Sequence, residues 1–416
     1  MRKFYQLTRA ERVQALVDAG LLSTADAHLL LADAPLPQAT AEHLTENQIG
    51  QFPLPMGLVR GLRVNGLTHD VALVGEEPSV VAAANNGARM ARAGGGVTVQ
   101  VPPHRVAAEV VFADLAEPEA AVRLIEAQVA DIKAAAAAAH PSIVRRGGGL
   151  QAVHVQQRQQ FVKVTLVVDP QQAMGANIVN TIAERVGRLL GSWLHQPPLI
   201  SILSNYSDDA VIATVAIPVN AVATRHADGA TVARLIARTS DFAMIDIDRA
   251  TTNNKGVMNG IAAATIALGN DYRAVEAGAH AYAARSGRYL PLTQWRVADD
   301  TLHGKIAVPL QLGVVGGAVG ALHRAGLAQR LAGIKTVADA QALLAALGLV
   351  QNLAAVRALV GPGIQAGHMH LQAGALAVAA GATGDEVARL TQQLQAGDKT
   401  LARAQHLLAL MRQERH

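Results

Sequence analysis

Between residues 103 and 208 the apolar periodicity switches in an order that few folds accommodate. Two-residue alternation from Ala107 to Leu115 gives way to helical spacing from Pro118 to Ala139, then to two alternating segments, 150–155 and 161–169. Helical spacing returns from Ala173 to Leu194, and a last apolar segment runs from Leu199 to Leu203. Alternation puts every second side chain on one face of a strand, whereas a spacing of three to four builds a stripe along a helix. The order is strand, helix, strand, strand, helix, strand, which is the split ferredoxin-like unit. Such a unit makes a compact domain of its own, so the flanking segments must close around it as a larger body. The expected class is α+β: a large, mostly helical domain over 1–102 and 209–360, the inserted unit over 103–208, and a C-terminal helical flap over 361–416.

Punctuation in the flanking segments fits that division. Residues 1–45 read as helical stretches at 9–20, 23–32 and 39–44, with Ser23, Thr24 and Asp26 as a start signal. Two short strands flank Val64-Asn65-Gly66, because Asn-Gly supplies the left-handed backbone that a tight hairpin needs. Pro78 to Ala93 reads as a helix stopped by Gly94-Gly95-Gly96, and Ala274 to Ser286 and Val337 to Leu359 read as further helices. Gly-Pro-Gly at 361–363 reads as the hinge of a mobile flap, whose helical segments are 367–381 and 384 onward.

Composition removes several function classes. The chain of 416 residues has no cysteine, which excludes disulfides, thiolate metal sites and cysteine nucleophiles. Half of it is apolar and only 3% aromatic, with much alanine and glycine, which favours close helix packing. A net charge of +4 is modest, and the basic residues are scattered among acidic ones rather than clustered with aromatics, so no nucleic-acid partner is expected. The longest stretches of low polarity, such as the alanine run at 133–140, are too short to span a bilayer. The first residues enter an amphipathic helix pattern rather than an apolar leader, so neither membrane nor export is expected and the location is read as cytoplasmic.

The candidates for chemistry fall in four segments. Glu76-Glu77-Pro78-Ser79 interrupts an otherwise apolar run at 72–82, and an acid among apolar neighbours can serve as a proton donor near neutral pH. Asn253-Asn254-Lys255-Gly256-Val257-Met258-Asn259-Gly260 supplies a cation, Gly269-Asn270-Asp271 a second carboxylate, and Gly367-His368-Met369 an imidazole. Each has an ordinary reading. An acidic pair is commonly a surface feature, a lysine in a polar run is commonly solvated, and Asp271 could simply cap a helix starting at Tyr272 or Arg273. Lys255 and Asp271 are 16 residues apart, which on one unbroken helix would turn them to opposite faces. The Gly269-Asn270 break is expected instead to fold Asp271 back onto Lys255.

In this order the four segments closely resemble a class II 3-hydroxy-3-methylglutaryl-coenzyme A reductase, and the resemblance runs from about Glu46 into the C-terminal segment. It implies interconversion of 3-hydroxy-3-methylglutaryl-coenzyme A with mevalonate plus coenzyme A by two hydride transfers. Reducing a thioester to an alcohol requires a donor for the oxyanion and protons for the leaving thiolate and for the aldehyde step. By resemblance, Lys255 stabilises the oxyanion, Glu77 donates the aldehyde-step proton, Asp271 tunes the pair, and His368 in the flap protonates the departing coenzyme A. Ser79 and Arg249 match positions that hold the carboxylate end of the substrate, an arginine suiting bidentate binding, and Asn259 is taken as a further substrate contact.

No Gly-x-Gly-x-x-Gly follows a strand, so the nicotinamide cofactor is expected on the inserted unit rather than on a Rossmann fold. Its motif is Met174-Gly175-Ala176-Asn177 at a helix N-terminus, with Gln172 where the family carries aspartate, and Asn205 matches a position near the nicotinamide. Ala152 stands where NADH-using relatives carry an acid for the ribose hydroxyls, and no lysine or arginine replaces it, so the expectation leans slightly to NADH over NADPH. No metal is expected. The resemblance also implies a homodimer or an assembly of dimers with active sites at the subunit interface, where Glu46-Asn47-Gln48-Ile49-Gly50 matches a family motif. The alternatives are a nicotinamide-dependent reductase of another carboxylated acyl-coenzyme A and a binding protein that kept the fold. Ser79 with Arg249 argues against the first, and the intact catalytic set against the second.

Overall fold

The computed structural model describes residues 2–361, 373–395, 397 and 399–413. Three short helices open the chain: α1 (Arg9–Asp18), α2 (Thr24–Leu31) and α3 (Gln38–Leu44). Capping boxes at Thr8 with Glu11 and at Ser23 with Asp26 start the first two, and the Ser23-Thr24-x-Asp26 signal anticipates the second. The hairpin follows, β1 (Met56–Val64) and β2 (Leu67–Val74), turning at Asn65 (φ 48°) and Gly66 (φ 86°) as Asn-Gly requires. Next come α4 (Pro78–Ala93), with proline in its first turn, and the short β3 (Val97–Gln100).

The inserted unit has the anticipated order. It comprises β4 (Val106–Ala113), α5 (Pro118–Ala127), α6 (Val129–Ala139), α7 (Pro141–Arg145), β5 (Gly149–Arg158), β6 (Phe161–Asp169), α8 (Ala176–Leu194) and β7 (Ile200–Ser204). Its four strands lie in the order β5-β6-β4-β7 and all pairs are antiparallel. The helix expected to run unbroken from Pro118 to Ala139 is two helices. Gln128 (φ −112°, ψ 28°) leaves helical geometry, ending α5 and starting α6, which lets both fit the twisted sheet. Val106, Val110, Phe112, Val164, Leu166, Val179, Ile182 and Leu190 form a core separate from the main one.

The large body is mostly helical within an α+β fold, as expected, but the two strands read around Asn65-Gly66 belong to a six-stranded sheet that runs through it. After β8 (Val211–Pro218) come α9 (Gly229–Ala243), α10 (Ile247–Ala267), α11 (Tyr272–Ala284), β9 (Thr293–Ala298), β10 (Thr301–Val308), α12 (His323–Ala332) and α13 (Val337–Leu359). The strand order is β2-β1-β3-β8-β10-β9, so the segments before and after the insertion share one sheet. Strands 8 and 10 alternate buried with more exposed residues, which is the period-two signal in short form. Helix α13 lies in the core among α4, α10 and β8. It is also the one helix among the described residues apolar and long enough to cross a membrane, with mean hydropathy 1.7, in place of the alanine run at 133–140. Most of its apolar length is buried in the protein.

The C-terminal segment expected to be helical from residue 384 onward holds two helices, Asp385–Leu394 and Leu401–Gln413, packed through Leu390, Leu394, Leu408 and Met411. His368 lies outside the described residues, as does the hinge beyond Gly361.

Candidate active site

The polar run around Lys255 is not a loop. It sits in the middle of α10, which starts at Asp246, whose carboxylate accepts the Arg249 backbone N–H at 2.7 Å. Helical geometry then sorts the motif by face. Asn253 and Asn254 are buried, while Thr251, Thr252 and Lys255 are exposed. Asn253 Nδ2 donates to Thr293 Oγ1 (3.0 Å), and Asn352 Nδ2 donates to Asn253 Oδ1 (2.8 Å). Asn352 Oδ1 accepts from Thr293 Oγ1 (3.0 Å) and from Trp295 Nε1 (2.8 Å). Asn254 Nδ2 donates to Leu290 O (2.9 Å) and its Oδ1 accepts Leu292 N–H (2.8 Å). Buried amides paired this fully lock α10 against α13 and β9, and so fix the direction in which Lys255 points. The sequence reading missed this role because an amide in a polar run looks solvated until its helix is placed.

Asn259 follows Lys255 by one turn, about 40° round the same face, and Arg249 lies within roughly 120° of both. Arg249 is half-buried, and burial pushes its guanidinium below the ordinary value despite the nearby Asp246 carboxylate. Its Nε is buried with no hydrogen-bond partner among the described residues. A buried donor left open costs free energy, so the site is suited to an anionic acceptor.

Glu77 occupies the N-cap position of α4, half-buried, with Pro78 in the first turn, while Glu76 is exposed. Ser79 Oγ donates to Glu77 Oε1, which brings two of the expected site residues into direct contact. Strand β2, which leads into Glu77, packs against α10.

Asp271 does cap α11, accepting from Arg273 N (2.9 Å) and Ala274 N (3.3 Å). The Arg273 guanidinium, bonded to both carboxylate oxygens at 3.0 Å, is the main reason its carboxyl sits below the usual carboxylate range. The expected return of Asp271 onto Lys255 does not occur within one chain. Helix α10 runs on for twelve residues from Lys255 to Ala267, about 18 Å at 1.5 Å per residue, before Gly269 and Asn270 turn the chain. The break exists but comes too late to bring the two side chains together.

The expected cofactor residues gather at one end of the four-stranded sheet. Gly175 is the N-cap of α8 with φ +102°, and a Cβ there would lie 2.6 Å from Pro170, so glycine is required twice over. The first turn of α8 has neither a side-chain cap nor an acidic residue, which leaves its N–H groups and positive dipole end for an anion. Ala152, Val167, Ala107 and Ser204 stand opposite one another across the four strands, so they share one face, with a register shift in β5 just before Ala152. Asn205 follows Ser204, and its Oδ1 is buried with no partner among the described residues. Gly148 abuts Asp169 and Gln171 at the same end, next to the exposed Arg145 and Arg146. Gln172 faces elsewhere: its Oε1 accepts Val337 N–H at 2.8 Å at the start of α13. Its departure from the family pattern therefore touches domain packing rather than the end of α8.

No group of three or more His, Asp or Glu side chains with metal-holding spacing occurs among the described residues. A family model described as hydroxymethylglutaryl-coenzyme A reductase matches residues 8–373. A relative from Archaeoglobus fulgidus described as 3-hydroxy-3-methylglutaryl-coenzyme A reductase is 38% identical, over 94% of this chain and 89% of its own. The solved reductase from Streptococcus pneumoniae superposes with a TM-score of 0.84 at 39% identity, covering 98% of this chain and 99% of that one. A second structure from that organism, a class II reductase bound to NADPH in open conformations, gives 0.83 at 39% identity, covering 98% of this chain and 100% of that one. With the fold, the two sheets and the matched length in agreement, the chain belongs to the hydroxymethylglutaryl-coenzyme A reductase family.

Proposed function

We propose that Lys255, Glu77, Asp271 and His368 catalyse the family's reaction in sites shared between two copies of this chain. That reaction interconverts 3-hydroxy-3-methylglutaryl-coenzyme A with mevalonate plus coenzyme A by two nicotinamide-dependent hydride transfers. The bound nicotinamide is the hydride source. Met174, Gly175, Ala176 and Asn177 would hold its pyrophosphate at the α8 N-terminus, with Ala152 beneath and the open Asn205 Oδ1 as an acceptor for the carboxamide.

The chain's own groups then divide the work. Lys255, projecting from a locked helix, donates to the carbonyl oxygen as charge develops on it. Glu77, hydrogen-bonded to Ser79, donates the proton of the aldehyde step. Asp271 holds the lysine charged, and His368 protonates the coenzyme A thiolate. Arg249, Ser79 and Asn259 bind the far carboxylate of the substrate, and the Arg249 Nε, buried with no partner among the described residues, supports this.

The single observation behind the shared site is the unbroken α10, which keeps Lys255 about 18 Å along its axis from the segment bearing Asp271. Both can serve one site only if a second copy supplies one of them. Ile49, within the Glu46–Gly50 motif, and Phe52, just after it, lie in a segment without regular structure, are 103% and 88% exposed, and give such a copy an apolar surface to cover. Cofactor choice turns on two features. Position 152 is alanine, with neither the acid that would hold the ribose hydroxyls nor a base for a 2′-phosphate, and the missing base underlies the slight lean to NADH. Arg145 and Arg146, exposed at the same end of the sheet, supply positive charge for a 2′-phosphate, and on this ground NADPH is the form we favour.

The test follows absorbance of NADH and NADPH separately with 3-hydroxy-3-methylglutaryl-coenzyme A, for wild type and Lys255→Ala. Oxidation that disappears in the variant supports the assignment. Turnover with other carboxylated thioesters but not this one would overturn it.

A further inference from the structure

Asn270 lies between two parts of the molecule that the reaction must keep in register. Its backbone N–H donates to Thr265 O at 3.0 Å and closes the end of α10, after Gly269 has taken φ +70°. Its side chain then makes two opposed bonds to a single residue: Gly313 N–H donates to Asn270 Oδ1 at 2.7 Å, and Asn270 Nδ2 donates to Gly313 O at 2.9 Å. The next residue along the chain is Asp271, itself fixed as the cap of α11.

Gly313 in turn lies backbone to backbone against the cofactor turn. A Cβ on it would fall 2.3 Å from Met174 N. The contact continues, with Val314 N–H donating to Gln172 O at 2.9 Å and Ala173 bridging Val315 in parallel. On the other side, His104 Nε2 meets Ala173 O at 3.0 Å. Asp271 and the turn at 172–175 are thus joined by main chain throughout, except for one amide side chain. A main-chain link has few soft torsions, so the Asn270 amide is the element whose loss would loosen the connection most.

We propose that Asn270 and Gly313 form a strap that positions the cofactor turn against Asp271, making Asn270 a positioning residue for hydride transfer. The inference rests on the reading that Met174–Asn177 hold the cofactor. The Asn270 amide is engaged by main chain on both its oxygen and its nitrogen, the nitrogen also reaching Leu268 O at 3.3 Å. It acts by setting where the turn sits, and a displacement of about 1 Å in such geometry costs on the order of 100-fold in rate.

The experiment compares wild type with Asn270→Ala, Asn270→Gln and Asn270→Asp, using cofactor deuterated at the transferred position. The expected result for Asn270→Ala is a fall in kcat on the order of 10- to 100-fold, with a raised cofactor KM and a larger deuterium isotope effect. The KM for 3-hydroxy-3-methylglutaryl-coenzyme A should stay within about twofold. Asn270→Gln keeps donor and acceptor and should recover part of the rate. Asn270→Asp, which turns a carboxylate oxygen toward Gly313 O, should not. Gly313→Ala reaches the turn from the opposite side and should reproduce the same split should Asn270→Ala fail to fold. An Asn270→Ala enzyme with a lower melting temperature but wild-type isotope effect and KM values would overturn the strap. Binding of the reduced cofactor to Gly175→Val, followed by fluorescence, separates the two levels of the argument. Unchanged binding there would overturn the turn assignment and the strap with it. Lost binding there, with Asn270→Ala indistinguishable from wild type, would overturn the strap alone.

Discussion

If each site draws Lys255 from one chain and Asp271 from the other, two inactive variants should complement each other in a mixed dimer. The perturbation is Lys255→Ala in one differently tagged copy and Asp271→Asn in the other, co-expressed and isolated through both tags. In a two-fold dimer the two sites are equivalent, and each shared site takes one residue from each copy. One site of the heterodimer would then carry both lesions and the other neither. Its kcat per dimer should be about half that of wild type, against a loss on the order of 100-fold or more in either homodimer. The structural basis is the stretch of about 18 Å along α10 between Lys255 and Ala267, more than a lysine side chain can span. The assay is cofactor oxidation at saturating substrate. A heterodimer no more active than the parent homodimers would refute the reasoning, because both residues would then have to come from one chain.

Lys255→Ala itself should lose on the order of 100- to 1000-fold in kcat with an unchanged melting temperature, since Lys255 is exposed and outside the amide network beneath it; calorimetry and initial rates check both. Asn352→Ala should do the reverse, lowering stability by about 2–4 kcal/mol in urea titration, because it strands Asn253, Thr293 and Trp295 Nε1. In the C-terminal helices the Arg412 guanidinium holds the Glu386 carboxyl down to about 2. A depressed acid contributes stability above its unfolded value and loses it as pH falls through the folded one, so this pair should weaken only between about 4.5 and about 2. Arg412→Ala should move the Glu386 titration, read by NMR, back toward the ordinary carboxylate range.

The Asn270 strap and the Lys255 geometry show where reading the chain residue by residue stops. Asn270 was legible as a helix breaker, since Gly-Asn after an apolar helix is a stop signal, but its partner Gly313 is 43 residues away and no local pattern names it. Likewise Asn253 and Asn254 look like loop residues until α10 is set against α13 and β9, when their amides become core partners. The four strands of the large sheet that the chain did not announce have the same origin. Strands such as Val97–Gln100 are too short to announce themselves, and they exist because β8 offers a partner across the insertion.

Local chemistry determined what local chemistry can: the order of elements in the inserted unit, the Asn65-Gly66 turn, the caps at Thr8 and Ser23, and the residue types needed for thioester reduction. These depend on backbone preference and on side-chain periodicity over a few residues, which the linear chain contains in full. Tertiary structure alone decided which face of α10 Lys255 occupies, that Asp271 stands too far along the chain to reach it, and that a single amide ties the segment bearing Asp271, through Gly313, to the turn at 172–175. Those are distances between segments remote in sequence. Distances of that kind are set by how two sheets and a buried helix pack together rather than by any residue's own preference.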